Sequence, residues 1–287
     1  MDPQLSELLT LLDLEPLEID IFRGQSPATP MQRIFGGLVA AQSLVAAGRT
    51  VDTDRPVHSL HAYFLRPGDP AIPVVYEVDR IRDGRSFTTR RVVAVQHGKA
   101  IFHLSASFQL VQPGIEHADP MPPVPGPEEL PSYEDLLAVH LPGYDPNEYG
   151  RRPIEVRFVG ESSFDRLDVD LSRSTDTQVW MRTVGALPAD PLLHVCAVTY
   201  ASDMTLLDTV VAKHGLLYWR GNVALASLDH AMWFHRPFRA DDWFLYAQRS
   251  PAAAGGRGLA TGQIFTRDGQ LAVSVVQEGL VRQLRSD

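Results

Sequence analysis

Runs of alternating apolar and polar residues, separated by turns that contain glycine, occur in two parts of the chain. In the first part the candidate strands are residues 74–80, 87–96 and 100–110. In the second part they are residues 243–249, 258–266 and 271–284. The turns include Asp83-Gly84 and Asp268-Gly269, and Asp-Gly between alternating runs is a strong signal for a β-hairpin. The pattern therefore predicts two antiparallel sheets.

A helical spacing of apolar residues precedes each of these sheets. The first helix is predicted over residues 36–47, with Gly48 as a left-handed C-terminal cap. The second begins after Asp190, a suitable N-cap, has Pro191 as its first residue, and extends to about Leu207. Strands are predicted before the helices at residues 17–23, 154–158 and 176–184. A short amphipathic helix is predicted at the N-terminus from the spacing of Leu5, Leu8, Leu9 and Leu12.

The order of helix and sheet occurs twice, and the sequence around one turn repeats. Tyr63-Phe64-Leu65-Arg66-Pro67 recurs as Trp233-Phe234-His235-Arg236-Pro237. A long central helix followed by an antiparallel sheet that wraps it is an α+β arrangement. Ten of the 22 prolines lie between Pro113 and Pro153, a density typical of a linker. The predicted organisation is an N-terminal domain (residues 1–112), a linker (113–153) and a C-terminal domain (154–287).

Composition and charge exclude some classes of function. The net charge of −9 disfavours nucleic acid as a partner, because binding to phosphates requires a concentrated basic face. Cys196 is the single cysteine, which excludes an internal disulfide and is typical of a reducing compartment. No apolar stretch approaches the roughly 20 residues of a membrane span, and neither terminus resembles a secretion or peroxisomal signal. A soluble cytoplasmic protein is expected.

Several phrases of the sequence, taken in order, resemble one enzyme family. They are Arg33-Ile34-Phe35-Gly36-Gly37, the stretch 58–69, Arg82-Asp83-Gly84-Arg85-Ser86-Phe87, Tyr200-Ala201-Ser202-Asp203, the stretch 228–237 and Val276-Gln277-Glu278-Gly279. Together they resemble the type II acyl-CoA thioesterase family over nearly the whole chain. The resemblance implies two hotdog domains in tandem and hydrolysis of fatty acyl-CoA to free fatty acid and coenzyme A by an activated water. It also implies no cofactor, no metal, and a homo-oligomer (dimer or tetramer).

The same resemblance implies which residues are catalytic. The family's aspartate corresponds to Asp203, its hydroxyl residue to Ser227 and its glutamine to Gln277. A carboxylate can accept a proton from water, while a hydroxyl and an amide can orient that water through hydrogen bonds. Asp203 is expected on the second central helix, Ser227 at the start of a strand and Gln277 in the last strand.

The internal repeat gives an independent argument for these three positions. Aligned through the turns, the first half has Val57, Ala106 and about Gln42 where the second has Ser227, Gln277 and Asp203. The polar set is therefore present in one half only, and packing alone would not concentrate it there. One active site per chain is expected.

Each residue also has a structural alternative, and two other functions compete. Asp203 can be a solvated helix residue, Ser227 a strand-edge serine, and Gln277 the end of a buried face. One rival function is a hotdog enoyl-CoA hydratase, which needs a dedicated Asp/His pair. The other is a non-catalytic acyl-CoA-binding protein that keeps the pocket without the chemistry.

Other candidate chemistry in the sequence is interpreted structurally. Asp229, His230 and His235 suggest a hydrolase triad, but no Gly-x-Ser-x-Gly elbow accompanies them. Asp229 and His230 are therefore interpreted as groups that support the site or anchor a strand. His58 and His61 point to opposite faces of a strand, which excludes a shared metal, and Cys196 is expected in the core.

Overall fold

The computed structural model describes residues 1–27, 32–141, 143, 152–162, 164–166, 168–217 and 220–284. Within these residues the helices are α1 (Pro3–Leu12), α2 (Gly36–Gly48), α3 (Tyr133–His140), α4 (Pro191–Ser202) and the short α5 (Asp208–Val211). The strands are β1 (Glu15–Glu18), β2 (Ile21–Gly24), β3 (Val57–Phe64), β4 (Val74–Asp83), β5 (Phe87–Gln96), β6 (Lys99–Gln109), β7 (Ile154–Val159), β8 (Thr177–Thr183), β9 (Val223–Ser227), β10 (Asp229–Phe234), β11 (Phe244–Ala254), β12 (Arg257–Thr266) and β13 (Leu271–Gln283).

These strands form one continuous antiparallel sheet rather than two separate ones. Its order is β1-β2-β4-β5-β6-β3-β10-β13-β12-β11-β8-β7, and β9 pairs with β13. The halves of the chain meet where β3 pairs with β10, with Leu60 opposite Met232. The strands that lead into the two Arg-Pro turns therefore pair with each other. The predicted α+β fold, a central helix with an antiparallel sheet in each half, is confirmed.

The two central helices, α2 and α4, lie in the core and pack against each other. Helix α2 is buried from Gly37 to Ala47, because its small and aliphatic residues leave no polar face for solvent. Gly48 is not the left-handed cap that its position suggested, since it lies within α2. A Cβ at Gly48 would come 2.6 Å from Leu192 Cδ2 of α4. This glycine therefore permits a close approach of the two helices.

The ends of several elements differ from the sequence prediction. The predicted strand at residues 17–23 is instead the β1–β2 hairpin, which turns at Asp20 with a φ of 60°. The second central helix ends at Ser202, short of Leu207, and the chain then turns into α5. The apolar pattern does not predict β9. Within the described residues, no helix has the length and apolar character that crossing a bilayer requires.

Residues 110–130, which we call the strap, lie on the outer face of the second half of the sheet. The strap has no strand, and its regular structure is a single 3₁₀ turn at Pro127–Glu129. Three of its side chains pack against Trp180, Trp243, Leu245, Phe265 and Leu271. The Trp180 indole N–H donates to the carbonyl oxygen of Pro125 at 2.9 Å. The strap is therefore docked on the sheet by apolar packing and by hydrogen bonds to proline carbonyls.

Candidate active site

Asp203, Ser227 and Gln277 come together although they lie on three different elements. The Ser227 hydroxyl donates to Asp203 Oδ1 at 3.0 Å. The Gln277 amide nitrogen donates to Asp203 Oδ1 and to Ser227 Oγ, at 2.7 Å in each case. The three side chains form a closed triangle in which the carboxylate accepts, the amide nitrogen donates and the hydroxyl does both. We call this arrangement the polar triangle.

Two strands and the end of a helix hold the polar triangle. Gln277 lies within β13, as predicted, and is fully buried. Ser227 is the last residue of β9 rather than the start of a strand, and it lies opposite Gly279 of β13. Asp203 is not inside a helix, because α4 ends at Ser202 and Asp203 is its C-cap, with φ −88° and ψ −1°. The carboxylate therefore projects from a helix end towards the β9–β13 pair.

The amino end of α2, from the first half of the chain, contacts the carboxylate of Asp203. A Cβ built on Gly36 would lie 2.7 Å from Asp203 Oδ2. Asp203 thus lies between the carboxyl end of α4, where a negative charge is disfavoured, and the amino end of α2, where it is favoured. Both halves of the chain build the site, even though the polar triangle comes from the second half alone.

A cavity of about 780 Å³ opens beside the polar triangle. Asp203 and Ser227 line it. Much of its wall is apolar, with contributions from Ile34, Phe35, Val39, Phe64, Phe102 and Phe158. Four of the described residues that line the same cavity are arginines, Arg33, Arg66, Arg152 and Arg166. An elongated apolar group and an anionic group can therefore be bound in one space.

The protein interior behind the polar triangle is closed to solvent. His230 is 1 % exposed, and burial holds the pKa of His230 below its usual value, so its imidazole is neutral near pH 7. Burial, together with the nearby charge of Asp203, raises the pKa of Tyr246 well above its usual value. The Tyr246 hydroxyl donates to the carbonyl oxygen of Ser202 at 3.2 Å. Both groups are therefore uncharged near pH 7.

The corresponding residues of the first half do not form a second polar triangle. The Gln42 amide donates to two backbone carbonyl oxygens, at 2.7 and 2.9 Å, and its oxygen accepts from the Tyr76 hydroxyl at 2.5 Å. Val57 and Ala106 are both buried in the core. Gln42 therefore has a structural role, and apolar side chains occupy the other two positions.

Asp229, His230 and His235 do not form a hydrolase triad. Asp229 Oδ1 accepts from the Glu278 backbone N–H at 2.7 Å, which anchors β13. His230 Nε2 lies 2.8 Å from Ser202 Oγ, but both side chains are buried away from the cavity. His235 is bonded to a serine of β13 at 2.9 Å.

The remaining candidates also have structural surroundings. Cys196 is fully buried in α4, and burial raises the pKa of its thiol. His58 Nε2 is 2.8 Å from Ser107 Oγ, while His61 is exposed on the other face of β3. Among the residues that the structure describes, no three or more His, Cys, Asp or Glu side chains are grouped to hold a metal ion.

Gly36 contributes to the site in a way that the sequence did not predict, although Gly36-Gly37 belongs to one of the family phrases. A signal was present, because two glycines at the start of an otherwise apolar helix lower helix stability and call for a local reason. The contact with Asp203 supplies that reason. It joins residues far apart in the chain and was not visible in the local pattern.

Comparisons with known proteins identify the family of the chain. The profile of the acyl-CoA thioesterase family matches residues 168–280, and the profile of the acyl-CoA thioesterase N-terminal domain matches residues 25–109. The Homo sapiens protein named acyl-coenzyme A thioesterase 8 is 45% identical over 289 residues, which cover 95% of this chain and 88% of that protein.

Solved structures extend the comparison to the fold. The crystal structure of the acyl-CoA thioesterase II TesB2 from Mycobacterium marinum has a TM-score of 0.80 and 48% identity, covering 96% of this chain and 98% of that one. A conserved protein with a hot dog fold from Alicyclobacillus acidocaldarius has a TM-score of 0.77 at 22% identity, over 97% of this chain and 99% of that one, and shares the fold. The chain therefore belongs to the type II acyl-CoA thioesterase family and is a double hotdog hydrolase of acyl-CoA thioesters.

Proposed function

We propose that the chain converts fatty acyl-CoA to free fatty acid and coenzyme A, with Asp203, Ser227 and Gln277 holding the attacking water. The observation that carries this proposal is the polar triangle at the cavity wall. Its hydrogen bonds occupy Asp203 Oδ1, while Oδ2 has no hydrogen-bond partner among the described residues. A carboxylate with one oxygen anchored and the other free is suited to accept a proton from water.

In this mechanism the water oxygen attacks the thioester carbonyl carbon while Asp203 accepts one of the water protons. Ser227 orients the water without adding charge, and Gln277 holds Asp203 and Ser227 in place through its two hydrogen bonds. The first N–H groups of α2 have no acceptor within the helix, and at Gly36 they lie beside Asp203, where they can donate to the developing oxyanion. The C–S bond then breaks, the proton on Asp203 passes to the coenzyme A thiolate, and the carboxylic acid is released.

The cavity supports a fatty acyl-CoA as the substrate. Its apolar wall suits an acyl chain, because burial of each CH₂ group contributes about 0.8 kcal/mol. The arginines in the same cavity supply positive charge for the phosphates of coenzyme A in a chain whose net charge is −9.

The two rival functions have weaker support. A hydratase would need an Asp/His pair at the substrate. His230 is buried away from the cavity, and Asp203 accepts hydrogen bonds from Ser227 and Gln277 rather than from a histidine. A non-catalytic binding protein would have no need of a buried glutamine bonded to a carboxylate. Hydration of crotonyl-CoA without release of thiol would favour the hydratase. Binding of acyl-CoA without either product would favour the non-catalytic binding protein.

The decisive experiment measures free thiol released from acyl-CoA esters of increasing chain length. Asp203→Asn should lower kcat by about 10²–10⁴-fold, because an amide cannot accept the water proton. Asp208→Asn is the matched control, since Asp208 is a second carboxylate that lines the same cavity. Near-normal turnover by a folded Asp203→Asn protein would remove Asp203 from the mechanism.

We also propose a cytoplasmic homo-oligomer, a dimer or a tetramer. A cytoplasmic location is supported by the lone cysteine, which stays unpaired in a reducing compartment. Association is supported by the open edges at β1 and β7, since proteins tend to cover unpaired strand edges. Sedimentation at micromolar concentration should give a species larger than 31.8 kDa, and a purely monomeric protein would contradict the oligomer.

A further inference from the structure

The amide of Gln277 must be held in one orientation for the polar triangle to exist. Asp203 presents a carboxylate that only accepts, so the amide nitrogen of Gln277 faces it and the amide oxygen points away. With the amide turned over, two acceptors would face each other and the triangle would break. Gln277 Oε1 is buried and has no hydrogen-bond partner among the described residues.

His230 is the group that faces this amide oxygen. On β10 and β13, Ala231 lies opposite Val276, so continuing the register by one residue sets His230 opposite Gln277. The Gln277 side chain raises the pKa of His230, against the larger lowering by burial, as an acceptor near the imidazole would. The other unsatisfied buried atom at this place is His230 Nδ1. A proton on Nδ1 would therefore give each of these two unsatisfied atoms a hydrogen-bond partner.

The opposite ring nitrogen determines whether Nδ1 carries a proton. His230 Nε2 lies 2.8 Å from Ser202 Oγ, and both side chains are buried. A neutral imidazole has one N–H, so a proton on Nδ1 leaves Nε2 to accept the Ser202 hydroxyl proton. The Ser202 hydroxyl also lies 2.9 Å from the carbonyl oxygen of Thr199, so the Nδ1–H form of His230 requires Ser202 to donate its single proton to Nε2 rather than to Thr199.

The first half of the chain supports a paired role for these residues. Leu60 precedes Arg66 by the same distance as His230 precedes Arg236, and Leu60 lies opposite Ala106 on β3 and β6. Leu60 and Ala106 are both buried. The half without the amide therefore also lacks the imidazole, and a leucine fills its place.

We propose that His230, held by Ser202 in its Nδ1–H tautomer, is a positioning residue that fixes the amide of Gln277 with its nitrogen towards Asp203 and Ser227. This inference rests on the proposed function for its effect on catalysis. His230 is not among the described residues that line the cavity.

Two amide substitutions separate the donor from the bulk of the side chain. His230→Asn retains a donor near the Nδ1 position, while His230→Gln is a comparable amide with its donor near the Nε2 position. We expect His230→Asn to stay within about 5-fold of the unsubstituted kcat and His230→Gln to lose about 10- to 100-fold, with KM unchanged in both. Equal kcat values for the two folded variants would overturn the proposal.

A double-mutant cycle tests whether the effect passes through Gln277. On a Gln277→Ala background, His230→Gln should lower kcat by no more than about 2-fold further, because the group it positions is already gone. A full additional loss on that background would mean that His230 acts by another route and would overturn the proposal. Full activity of Gln277→Ala itself would overturn both the role of Gln277 in the proposed function and this inference.

A spectroscopic measurement tests the tautomer without any substitution or activity. In nitrogen NMR, the chemical shifts of the two ring nitrogens of His230 distinguish the Nδ1–H form from the Nε2–H form. The resonance can be assigned from its contacts with Gln277. We expect the neutral Nδ1–H form near pH 7. Observation of the Nε2–H form would overturn the inference and leave the proposed function intact.

Discussion

Replacing Gly36 with alanine should lower turnover without removing any polar group from the site. The new Cβ would lie 2.7 Å from Asp203 Oδ2 and 2.7 Å from Phe64 Cε1. Ordinary contact begins at 3.4 Å, so about 0.7 Å of movement is needed at each neighbour. The substitution therefore tests how closely catalysis depends on the position of the carboxylate.

The surroundings of Gly36 leave little room for that movement. Helix α2 is buried almost throughout, and Asp203 Oδ1 is held by hydrogen bonds of 2.7 and 3.0 Å. A shift of the carboxylate stretches these bonds, and a displacement of about 1 Å can cost about 10²-fold in rate. We therefore expect kcat to fall by about 10- to 100-fold, with a stability loss of about 1–3 kcal/mol from overpacking.

The matched control is Gly48→Ala, the same substitution at the other end of α2. Its Cβ would lie 2.6 Å from Leu192 Cδ2, which is a comparable overlap far from the polar triangle. Thiol release and denaturant unfolding should be measured for both proteins. Gly48→Ala should lose stability and keep its kcat. An unchanged kcat in folded Gly36→Ala would refute the view that this contact sets the position of Asp203.

Three further predictions follow from the described contacts. Ser227→Thr should keep substantial activity and Ser227→Ala should lose it, because threonine retains the hydroxyl. If thiol release falls equally in both variants, the hydroxyl does not orient the water. Val57→Ser with Ala106→Gln, on an Asp203→Asn background, should give no activity above that background. The pair should lower the free energy of unfolding by about 1–3 kcal/mol for each buried unpaired group. New activity would show a usable site in the first half. Trp180→Phe should lower the free energy of unfolding in denaturant by about 1 kcal/mol, because it removes the 2.9 Å hydrogen bond to the strap, and kcat should stay unchanged. An unaltered unfolding midpoint would mean that this hydrogen bond contributes nothing to stability.

Much of the architecture was predictable because it depends on the local pattern of apolar and polar residues. Alternating residues and Asp-Gly turns predicted the hairpins, and the repeated Arg-Pro turn predicted the duplication. The fold class and the family that these patterns and phrases indicated are confirmed. The catalytic roles of Asp203, Ser227 and Gln277 remain predictions, although these side chains do meet.

Local patterns could not predict where elements end or which side chains meet across the fold. The apolar spacing runs on past Ser202, yet α4 ends there, and the next residue becomes the carboxylate of the site. Gly48 is at a position where the sequence predicts a helix cap, but in the structure it allows α2 and α4 to pack closely. Tertiary packing overrides local propensity at such positions, because burial and close contact outweigh the preferences of a few backbone angles.

The sequence by itself determined the hairpins, the central helices, the duplication and the asymmetry of polar residues between the halves, since each depends on residues near one another or on a repeat. The tertiary structure decided the joining of β3 to β10, the approach of Gly36 to Asp203, and the pairing of β10 with β13. Asp203 and Gln277 are 74 residues apart, and their amide–carboxylate bond forms because the sheet and the helix end bring them within 2.7 Å. Contacts of this kind depend on the packed arrangement of the whole chain, which residue spacing along the chain does not encode.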